Sequence, residues 1–167
     1  MTREIRAEAE EEAERILSDY WDVNEVPVNP VVIARRLGAE VFTAQLPSDV
    51  SGIFQRDADG NDKIYMDSDD SVSRQRFTAA HEIGHLVRIP KGDTAIRVER
   101  RDTRATTGRD PEEVFANSFS AALLMPRSVI RRLLAADVSR AVVAKSLRVS
   151  QEALNNRIDN LSRDGKL

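Results

Sequence analysis

The two histidines of the chain, His81 and His85, lie four residues apart in the segment FTAAHEIGHLV. On an α-helix this spacing places both imidazoles on one face, where each can direct a ring nitrogen at the same metal ion. Glu82 lies about 100° further round the helix, within reach of a water molecule on that ion. The H-E-x-x-H pattern therefore predicts metal-assisted peptide hydrolysis, with His81 and His85 as ligands and Glu82 as the catalytic acid and base. The alternative is a chance arrangement on an ordinary amphipathic helix.

A third ligand is needed, because a catalytic zinc ion usually has three protein ligands and keeps one position open. The chain has no cysteine and only two histidines, so the third ligand should be a carboxylate. Glu113 in EEVFANSFSAALLMP is the best candidate, because it lies on the inward-facing side of a predicted helix. A buried acid there needs a partner, and a metal ion would be one. The alternatives are an ordinary first-turn acid at Glu113 and a loop ligand, for which Asp93, Glu99 and Asp102 are available.

Two further residues follow from the same helices. Asn117 is one turn after Glu113, where it can accept a hydrogen bond from the far nitrogen of a ligand histidine and hold its tautomer. Gly84 lies between the two histidines and costs roughly 1 kcal/mol relative to alanine in mid-helix. Such a cost indicates that another element, for example the helix carrying the third ligand, approaches closely at this point.

Composition indicates a helix-rich globular protein of one domain. The chain has 167 residues, of which 41% are hydrophobic and 32% charged, and contains only 7 Gly and 6 Pro. The acidic start of the chain and the absence of a run of about 18 apolar residues argue against secretion and membrane spanning, and favour a cytoplasmic protein. Residues 1–25 carry a net charge of -6 and residues 127–167 one of +5, so the two ends should attract each other or different partners.

Local patterns predict an α+β fold with a small, antiparallel, three-stranded sheet. An apolar stripe in residues 5–20 indicates a first helix. A second helix is predicted in NPVVIARRLG, which has an Asn as N-cap, a Pro at the first helical position and a Gly after the last turn. AEVFTAQL, SGIFQR and KIYMDS are typical of strands, the last two joined as a hairpin by DADGND. The H-E-x-x-H helix then extends from residue 71 or 73 to about 87. In residues 88–110 the apolar residues follow neither the helix nor the strand period, so this stretch is interpreted as a loop. The next helix begins at Pro111.

The C-terminal segment, residues 127–167, is predicted to be helical and to pack on a peptidase-like part made of residues 1–126. Ser139 and Ser150 are plausible N-caps, and L-x-V-S-x-x-A-L-x-x-R has the spacing of a helix-turn-helix. Its positive charge is what DNA contact would require. The alternative is that these helices close the core, with Val142, Leu147 and Leu154 among the buried residues and the arginines solvated.

Two longer patterns carry a resemblance to a known family. R-x-R-F-T-x-A-H-E-x-G-H at 74–85 and E-x-x-A-N-x-F-x-x-x-L-L-M-P at 113–126 strongly resemble the ImmA/IrrE family of gluzincin-like metallopeptidases, and the similarity covers roughly residues 25–160. The resemblance implies a zincin-like fold, a zinc ion held by His81, His85 and Glu113, and Glu82 as the catalytic residue. It also implies a substrate: a repressor of the Xre-like helix-turn-helix type, whose cleavage derepresses mobile-element or stress genes. An end at Leu167 is more similar to the short members of the family.

The sequence therefore predicts a zinc-dependent, site-specific endopeptidase acting on a cognate repressor, with Mn²⁺ as a second activating metal. Direct DNA binding and a membrane are not expected. The competing prediction is a helix-turn-helix regulator or scaffold whose metal site is structural. Two secondary expectations concern the segment KIYMDS, which is the best candidate for an edge strand that pairs with extended substrate. Its Tyr65 is either an aid to the oxyanion or a packed strand aromatic.

Overall fold

Seven helices and four strands form the part of the chain that the computed structural model describes, residues 2–22, 24–101 and 110–167. The helices are α1 (Thr2–Tyr20), α2 (Pro30–Arg36), α3 (Val72–Arg88), α4 (Pro111–Leu124), α5 (Arg127–Ala135), α6 (Arg140–Leu147) and α7 (Gln151–Arg163), and the strands are β1 (Glu40–Ala44), β2 (Val50–Arg56), β3 (Asp62–Asp67) and β4 (Ala95–Arg100). No helix in these ranges has the length and apolar character that crossing a lipid bilayer requires.

The α+β class is confirmed, but the sheet is larger and less regular than the sequence predicts. It has four strands in the order β1-β3-β2-β4. The hairpin of β2 and β3 is present, whereas β1 pairs with β3 in parallel, so the sheet is mixed. The prediction of a three-stranded antiparallel sheet is therefore wrong. Run length and alternation identify a strand, but its partner depends on how the connections cross the sheet.

The fourth strand, β4, lies within residues 88–110, which the sequence predicts to be a loop. β4 pairs antiparallel with β2 along one edge of the sheet. Its apolar side chains, Ile96 and Val98, are 66% and 42% exposed, while Glu99 near the end of the strand is buried. This pattern inverts the usual strand alternation, which is why no core-facing strand is recognisable in the sequence. Residues 102–109 lie outside the described ranges.

The core joins the helices to one face of the sheet. Helix α1 packs along α4, and α3 lies between α4 and the sheet. The predicted stripe of α1 is buried at Ala9, Ala13, Ile16 and Leu17. The opposite net charges at the two ends of the chain do meet, since α1 forms ion pairs with the C-terminal region, including Glu10 with Arg157 and Glu14 with Arg127.

Helices α6 and α7 close one end of the same core. Val143, Leu147 and Leu154 are fully buried and belong to the core cluster that also contains residues of α1 and α4. Two details of the sequence interpretation are wrong: Val142 is 50% exposed, and Arg157 is buried instead of solvated. The exposed side of α7 carries Glu152, Asp159 and Arg163. This net negative surface does not favour contact with nucleic-acid phosphates.

Candidate metal centre

Helix α3 brings the two histidines together. Ser71 caps its first turn by accepting a hydrogen bond from the backbone N–H of Arg74. The helix then enters the core, and every residue from Thr78 to Leu86 is buried. His81 and His85 are 1% and 2% exposed, and their Nε2 atoms are 3.1 Å apart. The helical spacing thus produces the convergence of two ring nitrogens that the sequence predicts.

Helix α4 supplies the acid. Asp110 caps the helix through the N–H of Glu112, and Pro111 occupies the first position. The carboxylate of Glu113 then reaches both histidines: its oxygens are 3.4 Å from His81 Nε2 and 3.3 Å from His85 Nε2. Glu113 hydrogen-bonds both rings, and these bonds hold the pKa of its carboxyl well below its ordinary value. The structure therefore brings together the three residues predicted as ligands.

The spacing of these three side chains fits a tetrahedral metal ion. Ligand atoms 2.0–2.1 Å from a tetrahedral zinc ion are about 3.3 Å from one another. The two Nε2 atoms are 3.1 Å apart, and each lies 3.3 or 3.4 Å from a different carboxylate oxygen of Glu113, which is close to that value. The donor set, two imidazoles and one carboxylate, is also one that zinc accepts in catalytic sites.

Asn117 controls which nitrogen of His81 is available. Its Oδ1 lies 3.1 Å from His81 Nδ1. The amide oxygen can only accept, so Nδ1 carries a proton, and Nε2, the atom that faces Glu113, is the nitrogen that can offer a lone pair to a metal ion. The pair is therefore arranged as the sequence predicts for a residue that orients a ligand histidine.

Gly84 allows α3 and α4 to lie this close. A Cβ atom built on Gly84 would be 2.9 Å from the Cα and 3.2 Å from the Cβ of Ala116, in the same turn of α4 as Asn117. The predicted close approach at Gly84 is confirmed. A side chain at residue 84 would collide with the backbone of α4, the helix that carries Glu113.

Glu82 is fully buried, and neither of its carboxylate oxygens has a hydrogen-bond partner among the described residues. Burial, with the neighbouring acids Glu99 and Glu113, raises the pKa of Glu82 to about 8, although the charge of His81 acts in the opposite direction. A buried carboxylate without a partner is costly unless a cation or a substrate group completes its surroundings. This orphaned group beside three metal-type ligands is the strongest sign that the cluster is a working site.

Strand β2 packs against Glu82 at Gly52, a residue that the sequence analysis did not identify. A Cβ on Gly52 would lie 2.9 Å from Glu82 Oε1 and only 2.3 Å from the side-chain methyl of Thr78. Any larger residue would therefore push the strand away from the helix. A glycine inside a strand pattern is the signal that could have indicated such an approach.

Glu99 of β4 is a third acid at the site. Its carboxylate lies with His81 and Glu82 in a group whose ligand atoms are all within 4.8 Å of one another. Arg74 Nη2 lies 2.9 Å from Glu99 Oε1, so Glu99 has a cationic partner, unlike Glu82. Burial lowers the pKa of His81, but Glu113, Glu99 and Glu82 raise it to about 9. Of the other two loop acids, Asp93 is exposed and Asp102 lies outside the described residues.

Tyr65 is not brought to the site. Its ring stacks on Phe42 with centroids 5.2 Å apart, while its strand neighbours Ile64 and Met66 point into the core. Successive residues of a strand face opposite sides of the sheet, so Tyr65 lies on the side away from α3. The prediction that KIYMDS forms an edge is also wrong, because β3 lies between β1 and β2. The edge strand next to the histidines is β4.

Fold and site together define a class: an α+β protein in which two packed helices bring the two histidines of an H-E-x-x-H pattern and a glutamate into one cluster that could hold a metal ion. The chain belongs to the family described as Peptidase_M78, the IrrE N-terminal-like domain, whose model matches residues 34–159. The resemblance to the ImmA/IrrE family is thus confirmed. This is a metallopeptidase-type family and is usually metal-dependent.

A relative in a bacteriophage is also similar to the chain. "Uncharacterized immunity region protein 2" of Bacillus phage phi105 is 28% identical over 102 residues. The match covers 61% of this chain and 61% of the relative. The chain therefore spans less than two thirds of that protein.

Proposed function

We propose that the protein is a zinc-dependent endopeptidase in which His81, His85 and Glu113 hold the metal ion and Glu82 is the catalytic acid and base. The observation that carries this proposal is the buried, unpartnered carboxylate of Glu82 beside the cluster of His81, His85 and Glu113, whose ligand atoms lie within 4.8 Å of one another. A purely structural metal site does not require that carboxylate, and burying it without a hydrogen-bond partner destabilises the fold.

The bound metal would polarise the scissile carbonyl and lower the pKa of water at the site, which makes attack possible near neutral pH. Glu82 accepts the proton of the attacking water and delivers it to the leaving amine. A carboxyl whose surroundings raise its pKa is suited to both steps, because it binds and releases a proton at comparable cost. Asn117 keeps His81 Nε2 directed at the metal.

The extended substrate would enter along β4. This strand is an edge of the sheet, and its residue Glu99 is in the same cluster as His81 and Glu82. The free backbone groups of an edge strand can pair with a peptide, which aligns one of its bonds with the catalytic residues. This assignment replaces β3, which the sequence had suggested for the role.

The proposed substrate is a cognate repressor of the Xre-like helix-turn-helix type, cleaved at one site so that mobile-element or stress genes are derepressed. The family supports a peptidase, and the phage relative is named after an immunity region, which fits a mobile-element setting. A cytoplasmic location is part of this proposal, because a DNA-bound repressor is found there.

Metal binding is tested first, because it does not depend on the substrate. Glu113→Gln should weaken zinc binding by more than the roughly 10–100-fold expected of Asn117→Ala, which removes only an orienting hydrogen bond. Competition with a chromophoric chelator measures both constants. Glu112→Gln is the matched control, since Glu112 is adjacent but pairs with Arg88 instead of the histidines. Unchanged affinity in Glu113→Gln would transfer the role of third ligand to Glu99.

Cleavage is tested with the purified chain, Zn²⁺ or Mn²⁺, and the Xre-type repressor encoded nearest to it. Mass spectrometry of the products should show one cut. Glu82→Gln should bind zinc normally and cut about 10²–10⁴-fold more slowly, since the proton acceptor is lost. Glu112→Gln should cut at the wild-type rate. Equal rates for Glu82→Gln and wild type would eliminate the mechanism.

A further inference from the structure

A second polar pocket lies at the other end of α3. It has a volume of about 550 Å³ and is bounded by Trp21, by five residues within 24–29, by Arg76 of α3 and by Arg148, which follows α6. Trp21, the single tryptophan of the chain, forms one wall. None of these residues belongs to the metal centre.

Arg76 enters this pocket with an incompletely used guanidinium group. Its Nη2 donates to the carbonyl of Val28 at 2.8 Å and to that of Leu147 at 3.4 Å. Its Nε is buried and has no hydrogen-bond partner among the described residues. Two neutral carbonyls therefore hold the side chain in place, but they leave its positive charge uncompensated.

Arg148 adds a second uncompensated cation. Its backbone is left-handed, with φ 52°, and its exposed side chain lines the same pocket. Burial and the proximity of Arg148 both lower the pKa of Arg76. Glu25 also lines the pocket, but its side chain is exposed, and neither arginine forms an ion pair within the described part of the chain.

The two buried arginines of the described chain, Arg56 and Arg157, show what a structural role looks like. Arg56 is paired with Asp62 at 2.6 Å, and Arg157 with Glu10 at 2.6 Å. Placing two arginines together without such a partner costs Coulomb energy that an anionic ligand would recover. The pocket at Arg76 therefore has the charge of a binding site and lacks the partner of a structural pair.

We propose that Arg76 and Arg148 bind the phosphate group of a small molecule, either free phosphate or a phosphomonoester. The guanidinium group matches phosphate oxygens with paired N–H donors, and two such groups balance a phosphate dianion. Trp21 gives the pocket an aromatic wall against which the organic part of a phosphomonoester can rest.

Phosphate at this position would connect three parts of the fold. Arg76 lies five residues before His81 on α3, and its carbonyl partners belong to the segment before α2 and to the end of α6. A ligand that holds Arg76 and Arg148 together would stabilise this junction.

Trp21 makes the proposal measurable, because it is the single tryptophan of the chain and lines the pocket. The full chain is titrated separately with inorganic phosphate and with a nucleoside monophosphate, against NaCl of equal ionic strength. We expect a saturable change in Trp21 emission and a higher Tm with the phosphate compounds. Tighter binding of the nucleoside monophosphate assigns the pocket to a phosphomonoester, and equal affinity assigns it to free phosphate.

Variants locate the binding. Arg148→Gln removes one exposed cation without touching the core and should lower phosphate affinity about 10–100-fold. Arg163→Gln, an exposed arginine of α7 outside the pocket, should bind as wild type does. A response to phosphate no larger than that to NaCl, or equal responses in wild type and Arg148→Gln, would overturn the proposal.

Discussion

Two buried glutamates in this protein have opposite surroundings. Glu10 of α1 is 7% exposed, and each of its carboxylate oxygens is 2.6 Å from a guanidinium nitrogen of Arg157. Glu82 of α3 is 0% exposed, and neither oxygen has a partner in the described residues. Both are acids in the same core, yet one is fully compensated and the other is not.

The difference separates structure from chemistry. Glu10 and Arg157 satisfy each other, and Arg157 also donates to the carbonyl of Met125, so this pair joins α1 to α7 and to the end of α4. The carboxyl group of Glu82 has no hydrogen-bond partner among the described residues and lies beside His81. A compensated buried charge stabilises a particular packing, whereas an uncompensated one stores free energy that only a ligand or a reaction releases.

The largest expected effect comes from breaking the compensated pair. Arg157→Met leaves Glu10 buried and unpaired, and should lower the free energy of unfolding by about 3–5 kcal/mol. Urea denaturation measures this loss, with Arg163→Met, an exposed position on the same helix, as the control. Changing Glu10 and Arg157 together to apolar residues should recover part of the loss. If Arg157→Met is no worse than Arg163→Met, the pair does not hold α1 to α7.

Replacing the uncompensated acid Glu82 by methionine should change the free energy of unfolding in the opposite direction. Glu82→Met replaces a buried carboxyl without partners by an apolar side chain of similar length, so the metal-free protein should gain about 1–3 kcal/mol in the free energy of unfolding. Urea denaturation in the presence of a chelator measures the gain. A loss of stability would mean that Glu82 has a structural partner, and the contrast with Glu10 would disappear.

The smallest effect is a pH dependence at Glu10. Burial alone would raise the pKa of Glu10, but the hydrogen bonds and charge of Arg157, with Lys166 and Arg127, bring it below the ordinary value of 4.5. The stabilisation is therefore complete above the ordinary pKa and is lost as the pH falls through the lowered one. The stability difference between wild type and Glu10→Gln, measured by urea denaturation, should narrow between about pH 5 and about pH 3. A constant difference would show that the ion pair contributes nothing.

Local geometry explains what was predictable about the site. The four-residue spacing of His81 and His85 determines their common face on any helix, and the absence of cysteine restricts the third ligand to an acid. Gly84 correctly indicated the close approach of a second helix, because a glycine in mid-helix is unfavourable unless another element packs closely against it. Each of these inferences depends on backbone geometry within one or two turns, which does not change with the rest of the fold.

Contacts distant in sequence were not predictable in the same way. Strand β4 presents Ile96 and Val98 to solvent and Glu99 to the core, so its pattern resembles a loop until β2 is placed beside it. Tyr65 occupies a strand position that is compatible with either side of the sheet. Its side was decided by the pairing of β3 with β1 and β2.

Residues 77–87 alone were enough to specify the helix and the common face of its two histidines beside Glu82, because helical periodicity is a property of neighbouring residues. Tertiary packing was needed to bring Glu113 to the histidines, to leave Glu82 without a partner while Glu10 has one, and to place Arg76 beside Arg148. These outcomes depend on which elements pack together. The packing is determined by the free energy of the whole core, so it cannot be inferred from the sequence of any single segment.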